Sequence, residues 1–174
     1  MSQKTVKRLN ALVTTYAPNQ SPSGQDEPYY KYLNNWEAYL NEVKKIVASS
    51  KSDLLMATTA RGIKRGHMFN FHSLLKRMQS RGITIRIATE LSDENRDYLI
   101  KLNEFAEVRH VPGIKFKALV CDGKVACLCP RFDDSLNPLY NYYFVFRDVH
   151  TAQTIYYLLH QVWSVGRPVL NCFK

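Results

Sequence analysis

Lys115 and Lys117 stand two residues apart in the segment Lys115-Phe116-Lys117-Ala118-Leu119-Val120-Cys121, which runs into the pair Asp122-Gly123. Side chains alternate along an extended strand, so both ammonium groups are expected on one face, an arrangement that suits an anion. With a reference pKa of about 10.4, a lysine at neutral pH is a point charge rather than a nucleophile. A second basic set, Arg61, Lys64 and Arg65, lies in Thr58-Thr59-Ala60-Arg61-Gly62-Ile63-Lys64-Arg65-Gly66. This stretch reads as a loop at the carboxyl end of a strand, where open α/β sheets hold their ligands. His110 lies near the hairpin; a lone histidine at a strand end is more often structural than catalytic. The ligand-binding set is therefore Lys115, Lys117, Asp122, Arg61, Lys64, Arg65 and His110, with no catalytic residue. No metal site or cofactor is expected. His67 and His72 are five apart rather than four, and Cys121, Cys127 and Cys129 lack a convincing fourth ligand, so the thiols read as small buried hydrophobes. The tyrosines at 140, 142, 143, 156 and 157 read as packing.

These residues need a scaffold, and the hydrophobic pattern supplies one. Residues 17–28 collect turn and linker types, which predicts a mobile N-terminal arm and linker over 1–28 and one domain over 29–174. Leu33, Trp36, Leu40, Val43 and Val47 recur at spacings of three and four, predicting a helix from about Tyr30 to Ser50. Asp53 to Thr59 is a buried strand, and Met68, Phe71, Leu75 and Met78 mark a helix from about His67 to Arg81 that Gly82 ends. Ile83 to Thr89 is a second strand, and Ser92 opens a helix over Asp93 to Ala106. Glu107 to Val111 is a short strand, and Lys115 to Cys121 with Val125 to Cys129 flank the Asp122-Gly123 hairpin turn. Tyr140 to Arg147 is a further strand and Thr151 to Trp163 the closing helix. The fold class is α/β, a mixed and mostly parallel sheet flanked by helices.

The Lys117-x4-Asp122 spacing resembles the HxKx4D signature of the phospholipase D superfamily, with Lys115 where that family places its nucleophilic histidine. Cys129 and Pro130 take the place of the Gly-Ser pair that often follows. Arg81-Gly82-Ile83-Thr84-Ile85-Arg86 is similar to the lead into the second strand of these domains, and the order of elements over roughly residues 37 to 165 agrees. The chain is most similar to catalytically degenerate members, the effector-binding domain of archaeal TrmB-like transcription regulators. The resemblance implies a phospholipase D-like fold and a homodimer. It also implies that phosphodiesterase chemistry, which needs an imidazole to attack phosphorus, is lost with the histidine.

Composition fits this picture. The chain has 174 residues, 24 Lys and Arg against 15 Asp and Glu, and a net charge of +9. No acidic residue falls between Asp53 and Glu90, a span that holds Arg61, Lys64, Arg65, Lys76, Arg77, Arg81 and Arg86. Such a patch attracts phosphates, nucleic acid or another anion. Uncharged stretches fall short of the roughly 18 apolar residues of a membrane span, and four cysteines suit a reducing compartment, so a cytoplasmic protein without a membrane partner is expected. The sequence therefore points to a non-catalytic sensing domain, linked to transcription regulation, that binds an anionic small molecule or nucleic acid. A winged-helix element does not fit in residues 1–28, so a DNA-binding partner domain or protein is expected. Two alternatives stand: a phosphodiesterase or nuclease whose site is completed across a homodimer, and a basic nucleic-acid-binding module.

Overall fold

Apolar runs form the middle of an eight-stranded sheet in the computed structural model, which describes residues 29–130 and 142–173. The proposed arm at 1–28 and the first two residues of the expected strand at 140–147 lie outside the described residues. β2 (Asp53–Thr58) and β3 (Thr84–Thr89) pair in parallel, Leu54 opposite Ile85 and Ala57 opposite Ala88, and β4 (Glu107–His110) extends the parallel set. On the other side of β2, β5 (Lys117–Cys121) is antiparallel and turns into β6 (Val125–Cys129). Asp122 and Gly123 both take positive φ, 54° and 61°, as the predicted hairpin turn requires. β7 (Tyr143–Arg147) and β1 (Tyr29–Leu33) extend that side, and β8 (Arg167–Pro168) pairs with β4. The order is β1-β7-β6-β5-β2-β3-β4-β8. The sheet is mixed as expected. The balance is antiparallel rather than mostly parallel, because only β2, β3 and β4 are linked by crossovers, while the hairpin and its neighbours pair by reversal.

Three elements depart from the sequence reading. The helix expected from Tyr30 begins at Trp36: α1 covers Trp36–Ser49, and Tyr29–Leu33 is the edge strand β1. Asn35 sets the boundary, since its side-chain oxygen accepts from Glu37 N at 2.7 Å and Ala38 N at 3.2 Å, leaving the tyrosine-rich stretch before it extended. The basic segment read as a loop is helical. Thr59 accepts from Gly62 N at 3.1 Å and opens α2 (Ala60–Met68); Asn70, at φ 58°, then breaks the chain before α3 (Phe71–Gln79). Finally, α4 is Arg96–Asn103 rather than 93–106. Asn95 accepts from Ser92 N at 2.9 Å and donates to the Glu90 carbonyl at 2.8 Å, which folds the intervening residues into a turn.

Two layers cover the sheet. On one face α1 to α4 bury Val43, Ile46, Ile63, Leu75, Met78 and Leu99 against Leu54, Ile85, Ile87 and Leu119. On the other, α5 (Val149–Ser164), capped by Asp148 accepting from Thr151 N at 2.8 Å, sets Ala152, Leu159 and Trp163 against the small residues Ala57, Ala88, Ala118 and Ala126. No helix of the described residues is long and apolar enough to cross a membrane.

Candidate anion site at the carboxyl end of β2

Register brings Lys117 to the end of the sheet where α2 begins. Ala118 faces Ala57 across the β5–β2 pair, so Lys117, the first residue of β5, lies beside Thr58 and Thr59. It is only 7% exposed. Its Nζ lies 5.0 Å from the centroid of the Trp36 ring at the start of α1, within reach of the ring's negative face. The first turn of α2 comes equally close: a Cβ on Gly62 would fall 2.1 Å from Thr58 Oγ1 and 3.0 Å from Lys117 Cε. Gly66, one turn on, leaves a similar gap for His72, whose Nε2 would be 3.2 Å from an added Cβ. The glycine pair thus lets α2 lie against a buried lysine and a half-buried histidine.

Between α1, α2, β2 and β5 a cavity of about 70 Å³ remains. Its walls are largely apolar, with Lys117 and Arg65 as cations, and no Asp or Glu among the described residues lines it. Burial, and next the neighbouring His67, push the His72 imidazole down to about 4, so it is neutral at pH 7. Cys129, the cross-strand partner of Lys117, is buried; burial pushes its thiol up to about 11 against the opposing influence of Lys117, which keeps it protonated and inert. Both α1 and α2 begin beside the cavity, so the positive ends of their dipoles favour an anion there.

The structure brings together only part of the predicted site. Lys117 and Arg65 line the cavity. Lys115 is exposed and precedes β5, so the alternation that would align it with Lys117 does not reach it. Arg61 is exposed on α2, and Lys64 faces Glu94 at 3.8 Å. Asp122 lies at the far end of β5, where it accepts from Ser50 Oγ at 2.9 Å, Lys51 N at 2.9 Å, Ser52 N at 2.9 Å and Asp53 N at 3.0 Å. Burial works to raise its pKa, but these donors outweigh it and hold the carboxyl down at about 2. His110 ends β4, three strands from β5, and its Nδ1 accepts from Leu91 N at 3.0 Å. Sequence reasoning missed Trp36, Gly62 and His72. The i, i+4 spacing of Gly62 and Gly66 beside the basic residues was the available signal for a close helix approach. His67 and His72, set aside for their spacing, come to 5.5 Å between rings because the break at Asn70 folds α3 back on α2.

The family profile described as "Transcriptional regulator TrmB, EBD N-terminal subdomain" matches residues 30–170. The chain belongs to this TrmB family. Solved structures, including members of the phospholipase D family, carry the same fold. TrmBL2, an archaeal chromatin protein whose structure is described as showing a novel mode of DNA binding, is 12% identical with a TM-score of 0.59, covering 95% of this chain and 62% of that one. The chain therefore spans less than two thirds of TrmBL2. Nuc from Salmonella typhimurium, a phospholipase D family member, is 14% identical with a TM-score of 0.64, covering 81% and 97%. NucT from Helicobacter pylori is 16% identical with a TM-score of 0.62, covering 82% and 99%. No curated protein matches the sequence.

Proposed function

We propose that this TrmB-family domain is a non-catalytic sensor that binds an anionic ligand in the cavity beside Lys117. The observation that carries the reading is a largely apolar cavity with a buried lysine, Arg65 and a neutral His72 in its walls, at the starts of two helices. In such a place the charge of a bound anion is weakly screened and its hydrogen bonds to the cations are strong. Lys115 in place of the nucleophilic histidine supports a binding role over hydrolysis. Calorimetric titration of small carboxylates and phosphate into the wild type and Lys117→Met tests this: at least one anion binds the wild type and is lost in the variant. Anion binding that ignores Lys117 contradicts it.

A second reading has its own observation. Lys44, Lys45 and Arg77 line an open groove of about 490 Å³ between α1 and α3, and Arg81 reaches its end by donating to the Ala48 carbonyl at 3.1 Å. This surface fits a phosphate backbone, as a nucleic-acid-binding module would need. Duplex DNA binding through it weakens with salt at a log-log slope of roughly −0.9 per phosphate contact and drops in Lys45→Ala with Arg77→Ala but not in Arg61→Ala with Lys64→Ala. In the cell the sensor is read as cytoplasmic, acting as a homodimer with a DNA-binding partner domain or protein. The exposed Tyr30 and Tyr142 at the β1 edge offer a pairing surface. Sedimentation as a strict monomer at tens of micromolar counts against that pairing.

A further inference from the structure

We propose that α5 is the contact of the homodimer, packing antiparallel on the α5 of a second copy about a two-fold axis that passes between Tyr157 and Leu158. The proposal rests on the homodimer reading above and locates its interface.

Among the described residues α5 is the one helix on its face of the sheet, and its inner side packs Ala152, Leu159 and Trp163 against the strands. Its outer side carries a stripe of exposed residues: His150, Thr154, Tyr157, Leu158, Gln161 and, just past the last turn, Val165. At 3.6 residues per turn these positions fall within an arc of about 100°. The large apolar members are open to solvent, Tyr157 at 64%, Leu158 at 58% and Val165 at 77% exposure.

Charge selects the occupant. α5 contains no Asp, Glu, Lys or Arg, whereas each of α1 to α4 carries at least two. A two-fold contact sets a surface against itself, so a fixed charge near the axis meets its like, a real cost for a chain of net charge +9. The α5 stripe avoids that cost. A nucleic-acid backbone finds no lysine or arginine on it, and an anionic membrane surface finds none of the cations that hold interfacial helices.

Spacing sets the geometry. The steps along the stripe are four, three, one, three and four residues, which read the same in both directions. In an antiparallel pair Tyr157 therefore meets Leu158 of the partner subunit, Thr154 meets Gln161 of the partner subunit, and His150 meets Val165 of the partner subunit. The centre is apolar and the flanks pair a hydroxyl with an amide, the usual division between the core and rim of an interface. The β1 edge is the competing surface, but a two-fold pairing centred there sets Lys31 opposite its own copy. Because α5 lies across the sheet from α1 and α3, the basic groove between those helices stays open in the dimer.

The test is sedimentation equilibrium of the full chain, from micromolar to submillimolar, for the wild type, Leu158→Glu and Tyr30→Glu. Both substitutions are at exposed positions, and circular dichroism verifies that the variants fold. A second measurement fixes the register: Thr154→Cys and Gln161→Cys chains, each also carrying Cys172→Ser, are oxidised with copper phenanthroline separately and mixed. The wild type dimerises, Leu158→Glu weakens the dimer tenfold or more, Tyr30→Glu leaves it unchanged, and a disulfide-linked dimer forms chiefly in the mixture. A strict monomer in the wild type overturns the homodimer reading and this interface together. A dimer that tolerates Leu158→Glu, whether or not it yields to Tyr30→Glu, overturns the α5 contact alone. Cross-linking as strong within the separate chains as in the mixture overturns the antiparallel register.

Discussion

Asp122 and Lys117 belong to one sequence motif and do different work. Five residues of extended chain span about 16 Å, so the carboxylate and the ammonium sit at opposite ends of β5. There the Asp122 carboxylate gathers amide and hydroxyl donors from residues 50–53 and ties the hairpin to the lead into β2. Charged hydrogen bonds of this kind are worth about 2 kcal/mol, so Asp122→Ala is expected to lower the melting temperature by about 4 to 8 °C while ligand binding at Lys117 persists. A binding loss greater than the stability loss would place Asp122 in the site instead. The stabilisation from Asp122 is full above its unfolded pKa of 3.8 and fades as pH falls toward about 2. His72 acts in a separate window. Unfolded, it takes a proton near 6.5; folded, it resists until about 4, so the unfolded chain binds more protons between these values. Stability is expected to fall as pH drops through that window, and His72→Phe should flatten this part of a urea-midpoint profile recorded from pH 7 to pH 4.5. An unchanged slope in the variant would assign the pH dependence elsewhere.

Helix α2 fixes the shape of the site through what it lacks. Without side chains at Gly62 and Gly66 it closes over Thr58, Lys117 and His72. Gly62→Ala places a methyl group within 2.1 Å of Thr58 Oγ1, forcing a shift that is expected to cost about 1 to 3 kcal/mol and to abolish ligand binding, which melting curves and titration measure together. Full binding in Gly62→Ala would show that the ligand sits elsewhere. The same helix shows where sequence reading ended. Its glycines and basic residues look like a phosphate-binding loop, because a short helix with glycines in its interior has poor intrinsic propensity and forms here by packing on the sheet. Similarly, the three-and-four spacing of Leu33, Trp36 and Leu40 runs straight through Asn35, and only the cap bonds of that side chain divide strand from helix. The hairpin, by contrast, was fully legible: Asp-Gly between alternating strands admits few other conformations, and both residues take the positive φ that the turn needs.

At the scale of the whole molecule, the order of elements carries the fold, and the membership of the TrmB family agrees with it. The site was only half legible because a cavity is assembled from distant pieces. Lys117 was flagged by its motif, whereas Trp36 arrives from a helix 81 positions earlier, a proximity that only the sheet order creates. The phospholipase D-like scaffold also invites a catalytic expectation, which the sensor reading denies. No hydrolysis of bis-nitrophenyl phosphate is expected, with or without divalent metal, and turnover abolished by Lys115→Ala would reverse that conclusion. The claim on which the rest depends is that the cavity beside Lys117 holds the anion. A crystal of the protein soaked in sodium bromide, measured at the bromine absorption edge, addresses it most directly. The expected result is an anomalous peak between α1 and α2 beside Lys117, absent in Lys117→Met. A bromine peak confined to the α1–α3 groove, or one that persists unchanged in the variant, would contradict it.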